Sequence, residues 1–223
     1  MKKNLFLEAI LKFSLGVVLV GLLIFLPAGT IHYFGGWLLM GVLFTPMLGA
    51  GLVMLAKKPE LLKSRLKAKE KREEQDLVVK LSGLMFIVGF VVAGLDYRFS
   101  WLELPGWVNW VAAALFLIAY LLYAEVLREN AYLSRTIEVQ EGQTVVSTGL
   151  YGIVRHPMYS VTLLLFLSMP FVLGSFLSFL CFLCYPVLII KRLKNEEMLL
   201  EEELKGYKEY KEKVKFRLIP GIW

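Results

Sequence analysis

Residues 13–56 read FSLGVVLVGLLIFLPAGTIHYFGGWLLMGVLFTPMLGAGLVMLA, 44 residues without one Lys, Arg, Asp or Glu. A helix needs about 20 apolar residues to cross roughly 30 Å of hydrocarbon. The run is long enough for two crossings, and the stretch Pro27-Ala-Gly-Thr-Ile-His-Tyr-Phe-Gly-Gly36 divides it. Spans of about 10–27 and 36–56 follow. Inside lipid the backbone must satisfy its own hydrogen bonds, so both are expected to be helices.

Three further uncharged runs extend the pattern: Leu81–Leu95, Leu104–Ala124 and Pro157–Ile190. The first two predict spans at about 78–96 and 106–127. The last has 34 residues, with Pro170 and Gly174 near its middle. It reads as a tight helical hairpin with arms at about 157–170 and 173–192, or as one long kinked helix. The arms are short for full crossings, which would leave the hairpin tip inside the bilayer. With 57% hydrophobic residues and a mean hydropathy of +0.62, the composition is that of a membrane protein. The expected fold class is all-α, a polytopic transmembrane helical bundle of five to six spans ending in a C-terminal helical hairpin. There is no internal repeat or low-complexity linker. A single domain over 1–223 is expected, with N-terminal membrane helices in 1–128 and the functional part in 129–223.

Charge sets the expected orientation. Segment 57–80 carries nine Lys/Arg and the tail 191–223 another nine, while the connections 27–36 and 96–106 carry only Arg98. By the positive-inside rule both termini, segment 57–80 and segment 128–156 face the cytoplasm of a multi-pass integral membrane protein. The net charge of +6 is then an orientation signal with attraction to anionic membrane lipids, and no nucleic acid is expected as a partner. The apolar N-terminal run lacks a small-residue cleavage site before Pro27, so it reads as the first span rather than a signal peptide. Cys181 and Cys184 lie within the last apolar run and read as packing residues. No metal is expected.

Segments between the spans differ in character. Residues 57–80 read as a basic interfacial helix with Leu61, Leu62 and Leu66 toward lipid, or as a solvated connector. Thr136–Val139 and Thr144–Ser147 are β-prone around a turn at 140–143, which suggests a short hairpin or an extended loop. Lys191–Glu203 is a strong helix former that Gly206 ends or bends.

Chemistry concentrates in two places. Gly149-Leu-Tyr-Gly-Ile-Val-Arg-His-Pro-Met-Tyr159 puts an arginine and one of only two histidines against the start of an apolar helix. Pro157 suits the first helical turn, and the free N–H groups there attract an anion. His156 is able to donate, accept or titrate near neutrality. The plainer reading has Arg155 reaching to headgroups and His156 capping the helix. In Arg192-Leu-Lys-Asn-Glu196-Glu197, Arg192 and Glu196 share one helix face, and Glu197 borders an apolar stripe; the plainer reading is a solvated helix. Both segments sit at the same end of the predicted hairpin, so antiparallel arms would bring His156 near Glu196. Such a site suits a zwitterionic cofactor of the S-adenosylmethionine type.

The order Gly149-Leu-Tyr151, Arg155-His-Pro-Met-Tyr159, Arg192-x-x-x-Glu196-Glu197 and Tyr207-x-x-Tyr210-x-x-x-Val214 resembles the isoprenylcysteine carboxyl methyltransferase family, relatives of the phospholipid N-methyltransferases. The resemblance covers roughly 130–223. It implies an integral-membrane S-adenosylmethionine-dependent methyltransferase with a cytoplasmic cofactor pocket. Cofactor contacts are implied at Val146, Tyr151, His156, Pro157, Tyr159 and Glu196, with Glu197 beside them. Arg192 is implied on the substrate side, with Arg192 and Glu196 as the catalytic pair. The implied acceptor is a lipophilic small molecule or lipid-modified substrate methylated at a carboxyl oxygen. Amine N-methylation, or a scaffold without activity, is the alternative. A membrane reductase of the sterol-reductase group is a weaker one. No Rossmann fingerprint is present, and a transporter would need ionisable groups deeper in the spans.

Overall fold

In the computed structural model residues 2–57, 59–67, 73–130, 132–133 and 139–223 are described. The 44-residue run forms most of α1 (Lys2–Ala28) and α2 (Phe34–Lys57). Short α3 (Pro59–Lys67) leads to α4 (Glu73–Phe99), and α5 (Trp107–Glu129) follows. A 3₁₀ turn at Gly149–Gly152 precedes α6 (Pro157–Leu173), α7 (Phe176–Phe182), α8 (Cys184–Glu203) and α9 (Tyr207–Lys213). No strand occurs among the described residues. Five segments are long and apolar enough to cross a membrane: 4–28, 34–57, 76–99, 107–129 and 176–203. The chain is a multi-pass membrane protein. α6 is as apolar but has only 17 residues.

The hairpin expected after Pro157 is present. Gly174 adopts a left-handed φ of 78° and its N–H bonds the carbonyls of Phe171 and Pro170, which ends α6. Ser175 then caps α7, its hydroxyl accepting from the Ser178 N–H at 3.1 Å. The return arm differs from expectation, because it breaks at Leu183 into α7 and α8. Pro186 in the first turn of α8 has no N–H for the Phe182 carbonyl, and its ring crowds that oxygen.

The hairpin tip also reaches further than expected. It sits level with the turns at 29–33 and 100–106, here called the far face; the opposite, basic face carries α3 and the tail. Four side-chain hydrogen bonds hold the tip. Tyr33 Oη donates to the Leu173 carbonyl at 2.5 Å and Asn109 Nδ2 to the Val172 carbonyl at 2.9 Å. Ser175 Oγ donates to Asp96 Oδ2 at 2.5 Å, and Ser178 Oγ to the Gly89 carbonyl at 2.8 Å. The bonds from Tyr33 and Asn109 satisfy carbonyls at the end of α6 that have no helical partner.

α6 is the hub of the bundle, and its contact with α5 is the most extensive between any two helices. Asn109, Ala112, Ala113, Phe116, Ala119 and Val126 form a buried stripe on α5. Its small alanines let the two backbones approach, as membrane helices require. α1 is different. Leu7, Leu11, Leu15, Val18, Leu22 and Leu26 are exposed, an apolar surface suited to lipid.

Leu62 corrects one expectation. It is buried rather than turned to lipid, because α3 packs on α1 and α2. Lys12 Nζ ties the same helix down by donating to the Leu66 carbonyl at 2.7 Å. The Leu61 side chain and residues 134–138 lie outside the described ones. The turn at 140–143 is present, with the Gln143 N–H on the Gln140 carbonyl at 3.0 Å, and 144–147 is irregular.

Candidate functional site

At the basic face the two motif segments meet. Gly149 opens the first with a left-handed φ of 54°, which favours glycine, and its missing Cβ leaves room for the Glu129 carboxylate. His156 is the residue before the first turn of α6, and its carbonyl accepts from the N–H groups of Tyr159 and Ser160. Pro157 begins the helix and is fully buried.

A buried charge cluster joins this segment to α8 and the tail. Arg155 Nε donates to Glu197 Oε1 at 2.7 Å, and Arg217 Nε to Glu197 Oε2 at 2.8 Å. His156 Nε2 stands 3.3 Å from Glu197 Oε1, with its role set by the tautomer. Arg155 Nη1 also donates to the carbonyls of Val214 and Lys215, at 2.8 and 2.9 Å. The backbone adds two bonds, from the Arg155 and His156 N–H groups to the Phe216 and Arg217 carbonyls. Two arginines on one buried carboxylate satisfy its lone pairs, which is the condition for holding a charge away from water.

Beside the cluster lies a cavity enclosing about 90 Å³. Its lining includes Val146, Tyr151, His156, Tyr159, Arg192 and Glu196. Tyr159 Oη donates to Glu196 Oε2 and accepts from Arg192 Nε at 3.2 Å. The His156 and Tyr159 rings stack with centroids 5.8 Å apart. Along α8 the wall runs Arg192, Glu196, Leu200 and Leu204, one turn apart, for about 18 Å at 1.5 Å per residue. It therefore grades from ionic, near the membrane spans, to apolar, where Val145 faces Leu200 and Leu204.

The outer end is closed by α9. Tyr210 Oη donates to the Tyr151 carbonyl at 2.7 Å. Tyr207 also lines the cavity, and its buried hydroxyl has no hydrogen-bond partner among the described residues. Burial pushes both phenols well above their ordinary pKa, helped at Tyr207 by the nearby Glu197 and Glu196 carboxylates.

Six of the eight sequence-predicted site residues thus share one cavity: Val146, Tyr151, His156, Tyr159, Arg192 and Glu196. The other two do not line it. Pro157 is packed inside α6's first turn, and Glu197 is turned into the arginine cluster. Successive helix positions point about 100° apart, which separates Glu196 from Glu197. The sequence reading left out Tyr207, Leu200 and Leu204 as lining. The signal that marks them is position: Leu200 and Leu204 follow Glu196 at one-turn spacing, and Tyr207 begins the helix α9 that folds back over them.

Comparison with known proteins fits this geometry. A family model described as phospholipid methyltransferase matches residues 107–206. That match begins at the first residue of α5 and stops one residue before α9. The chain is also similar to the mouse (Mus musculus) Delta(14)-sterol reductase, 30% identical over 91 residues, which is 40% of this chain and 22% of that protein. It thus spans about a fifth of that relative's length. From α5 through the end of α8, the helices that build most of the cavity, the chain is similar to the phospholipid methyltransferase family.

Proposed function

We propose that the protein is an S-adenosylmethionine-dependent methyltransferase whose acceptor is lipophilic and whose cavity opens to the cytoplasm. The observation that carries the reading is the junction of His156, Tyr159, Arg192 and Glu196 in one cavity at the end of the membrane helices. Nine Lys/Arg in segment 57–80 and nine in the tail support a cytoplasmic basic face.

The residues fit such a cofactor. Glu196 offers a carboxylate to a sulfonium or ammonium group, while His156 and Arg192 offer donors to a carboxylate. Val145, Leu200 and Leu204 offer an apolar wall to a flat base. The chemistry the cofactor supplies is a methyl group on a positively charged sulfur, open to in-line displacement. The chain's part is alignment and exclusion of water, which the buried His156, Tyr159 and α6 start are built for.

Two acceptors suit the polar end. For a carboxylate, as in isoprenylcysteine carboxyl methylation, Arg192 orients the two oxygens and no base is required. The family match over 107–206 favours a second reading, a phospholipid amine. There the Glu196 carboxylate, bonded to Tyr159, takes up the proton. The likeness to a sterol reductase gives nicotinamide as the control ligand.

The test is equilibrium binding of methyl-labelled S-adenosylmethionine to the purified protein in detergent, followed by incubation with lipid extract and with a prenylated peptide acid. Binding of the labelled cofactor, with label entering one lipid class, is expected. Binding of a nicotinamide cofactor in its place would overturn the assignment.

A further inference from the structure

Tyr207 is the one side chain with a fully buried polar atom that finds no partner among the described residues. The residue is 4% exposed and lines the cavity. Buried hydroxyls are almost always hydrogen-bonded, so an orphan on a cavity wall points to a bond completed by what the cavity holds. The backbone that carries the phenol is fixed. Gly206 holds a left-handed φ of 86° that sets the direction of α9. The Tyr207 N–H bonds the Leu204 carbonyl at 3.1 Å, and Tyr210 anchors the far side of α9 to Tyr151.

The surroundings say what kind of group is missing. Burial and two neighbouring carboxylates keep the phenol protonated, so it is a donor. Glu197 is already occupied by Arg155 and Arg217. Glu196 is bonded to Tyr159 through Oε2, and a carboxylate has further lone pairs for a ligand donor. A hydroxyl is a group that both accepts from a phenol and donates to a carboxylate. The apolar stretch at Leu200, Leu204 and Val145 lies on one side of it and the ionic end at Arg192 on the other. A sugar hydroxyl between a flat base and a charged tail has that arrangement.

Resting on the methyltransferase reading, we propose that Tyr207 is a further ligand-binding residue. Its hydroxyl donates to a ribose hydroxyl of the nucleoside cofactor, and that hydroxyl donates in turn to Glu196. The base then lies outward along α8 and the sulfur end lies toward Arg192 and Tyr159.

A binding cycle tests this without any turnover measurement. S-adenosylhomocysteine and its 2′-deoxy and 3′-deoxy forms are titrated by calorimetry into the wild type and Tyr207→Phe in detergent. One deoxy form is expected to bind the wild type about tenfold more weakly, the scale of one hydrogen bond. Tyr207→Phe is expected to lose about as much with the parent ligand and little more with that deoxy form. Losses that multiply instead would overturn the proposal. So would a wild type that binds all three ligands equally, a result needing no variant. A wild type that binds none of them overturns the methyltransferase reading itself, which keeps the two failures apart.

Discussion

Arg155 and Glu197 meet at 2.7 Å with side chains only 4% and 5% exposed. They are 42 residues apart in the chain. With Arg217 on the second carboxylate oxygen, this contact fastens the start of α6, the middle of α8 and the tail into one unit. Glu196, its neighbour, faces the cavity instead. Two adjacent glutamates therefore divide the labour, one building the site and the other lining it.

The division is measurable. Glu197→Ala strands two guanidinium groups, one of them fully buried, and is expected to cost about 3–5 kcal/mol of stability. Glu196→Ala removes one bond at a cavity wall and is expected to cost about 1 kcal/mol, while cofactor binding weakens at least tenfold. Denaturation midpoints in detergent, with calorimetry of the cofactor, give both numbers. Equal loss of stability in the two variants would contradict the assignment.

A second relationship links the N-terminal helices to the hairpin. A Cβ on Gly35 would lie 2.5 Å from the Leu173 carbonyl oxygen, the same oxygen that Tyr33 bonds. Because the obstacle is backbone, no side chain swings away to relieve it. Gly35→Ala is expected to shift the hairpin tip and destabilise by about 1–3 kcal/mol. Gly41, on the same helix, has nothing within 4 Å of such a Cβ. Gly41→Ala is expected to be neutral or slightly stabilising through its better helix propensity. Thermal unfolding of the two single variants side by side separates packing from propensity.

Tyr207 and Tyr210 give stability a pH dependence. Their folded pKa values lie above the ordinary phenol value of about 10. Above that pH the unfolded chain loses phenolic protons that the folded chain keeps. The unfolded state then binds fewer protons, so stability falls as pH rises, by up to about 1.4 kcal/mol per pH unit for each tyrosine. Below pH 9 these two groups are expected to contribute no slope. Melting curves from pH 8 to 11 on the wild type and Tyr207→Phe check this, with a shallower decline expected for the variant.

Much of this architecture was legible in the chain, and the reasons differ by element. Lipid makes a strict demand on the backbone, so uncharged runs such as 104–124 translate directly into helices. Gly174 marked the hairpin because only glycine takes its left-handed turn cheaply. The break at Leu183 was legible in principle from Pro186, but the evenly apolar run hid it. Leu62 misled because hydrophobicity alone does not distinguish lipid from protein as a neighbour. At the site, motif spacing brought His156 and Glu196 to one end of the hairpin. It did not separate Glu196 from Glu197, since helix rotation relative to a partner is set by packing. Tyr207 was quoted in a motif, but its orphan hydroxyl is a property of three dimensions alone.

Arg192 offers the sharpest test of what the polar end does. Its Nε donates to Tyr159 Oη, which itself donates to Glu196, so the guanidinium is oriented by these two residues without replacing them. A guanidinium presents a planar fork to a carboxylate or phosphate, and an ammonium presents only a point charge. Arg192→Lys preserves the charge and removes the fork. Cofactor affinity is therefore expected to change by less than about threefold. Turnover of the lipophilic acceptor is expected to fall at least tenfold, about 1.4 kcal/mol of transition-state stabilisation. If the acceptor is an amine attached to a phosphate, the loss appears mainly as a raised KM, because the contact is then to the headgroup phosphate in ground and transition states alike. If the acceptor is the carboxylate itself, kcat falls, because alignment of the attacking oxygen is lost. Equal loss of cofactor binding and turnover would move Arg192 to the cofactor side of the cavity.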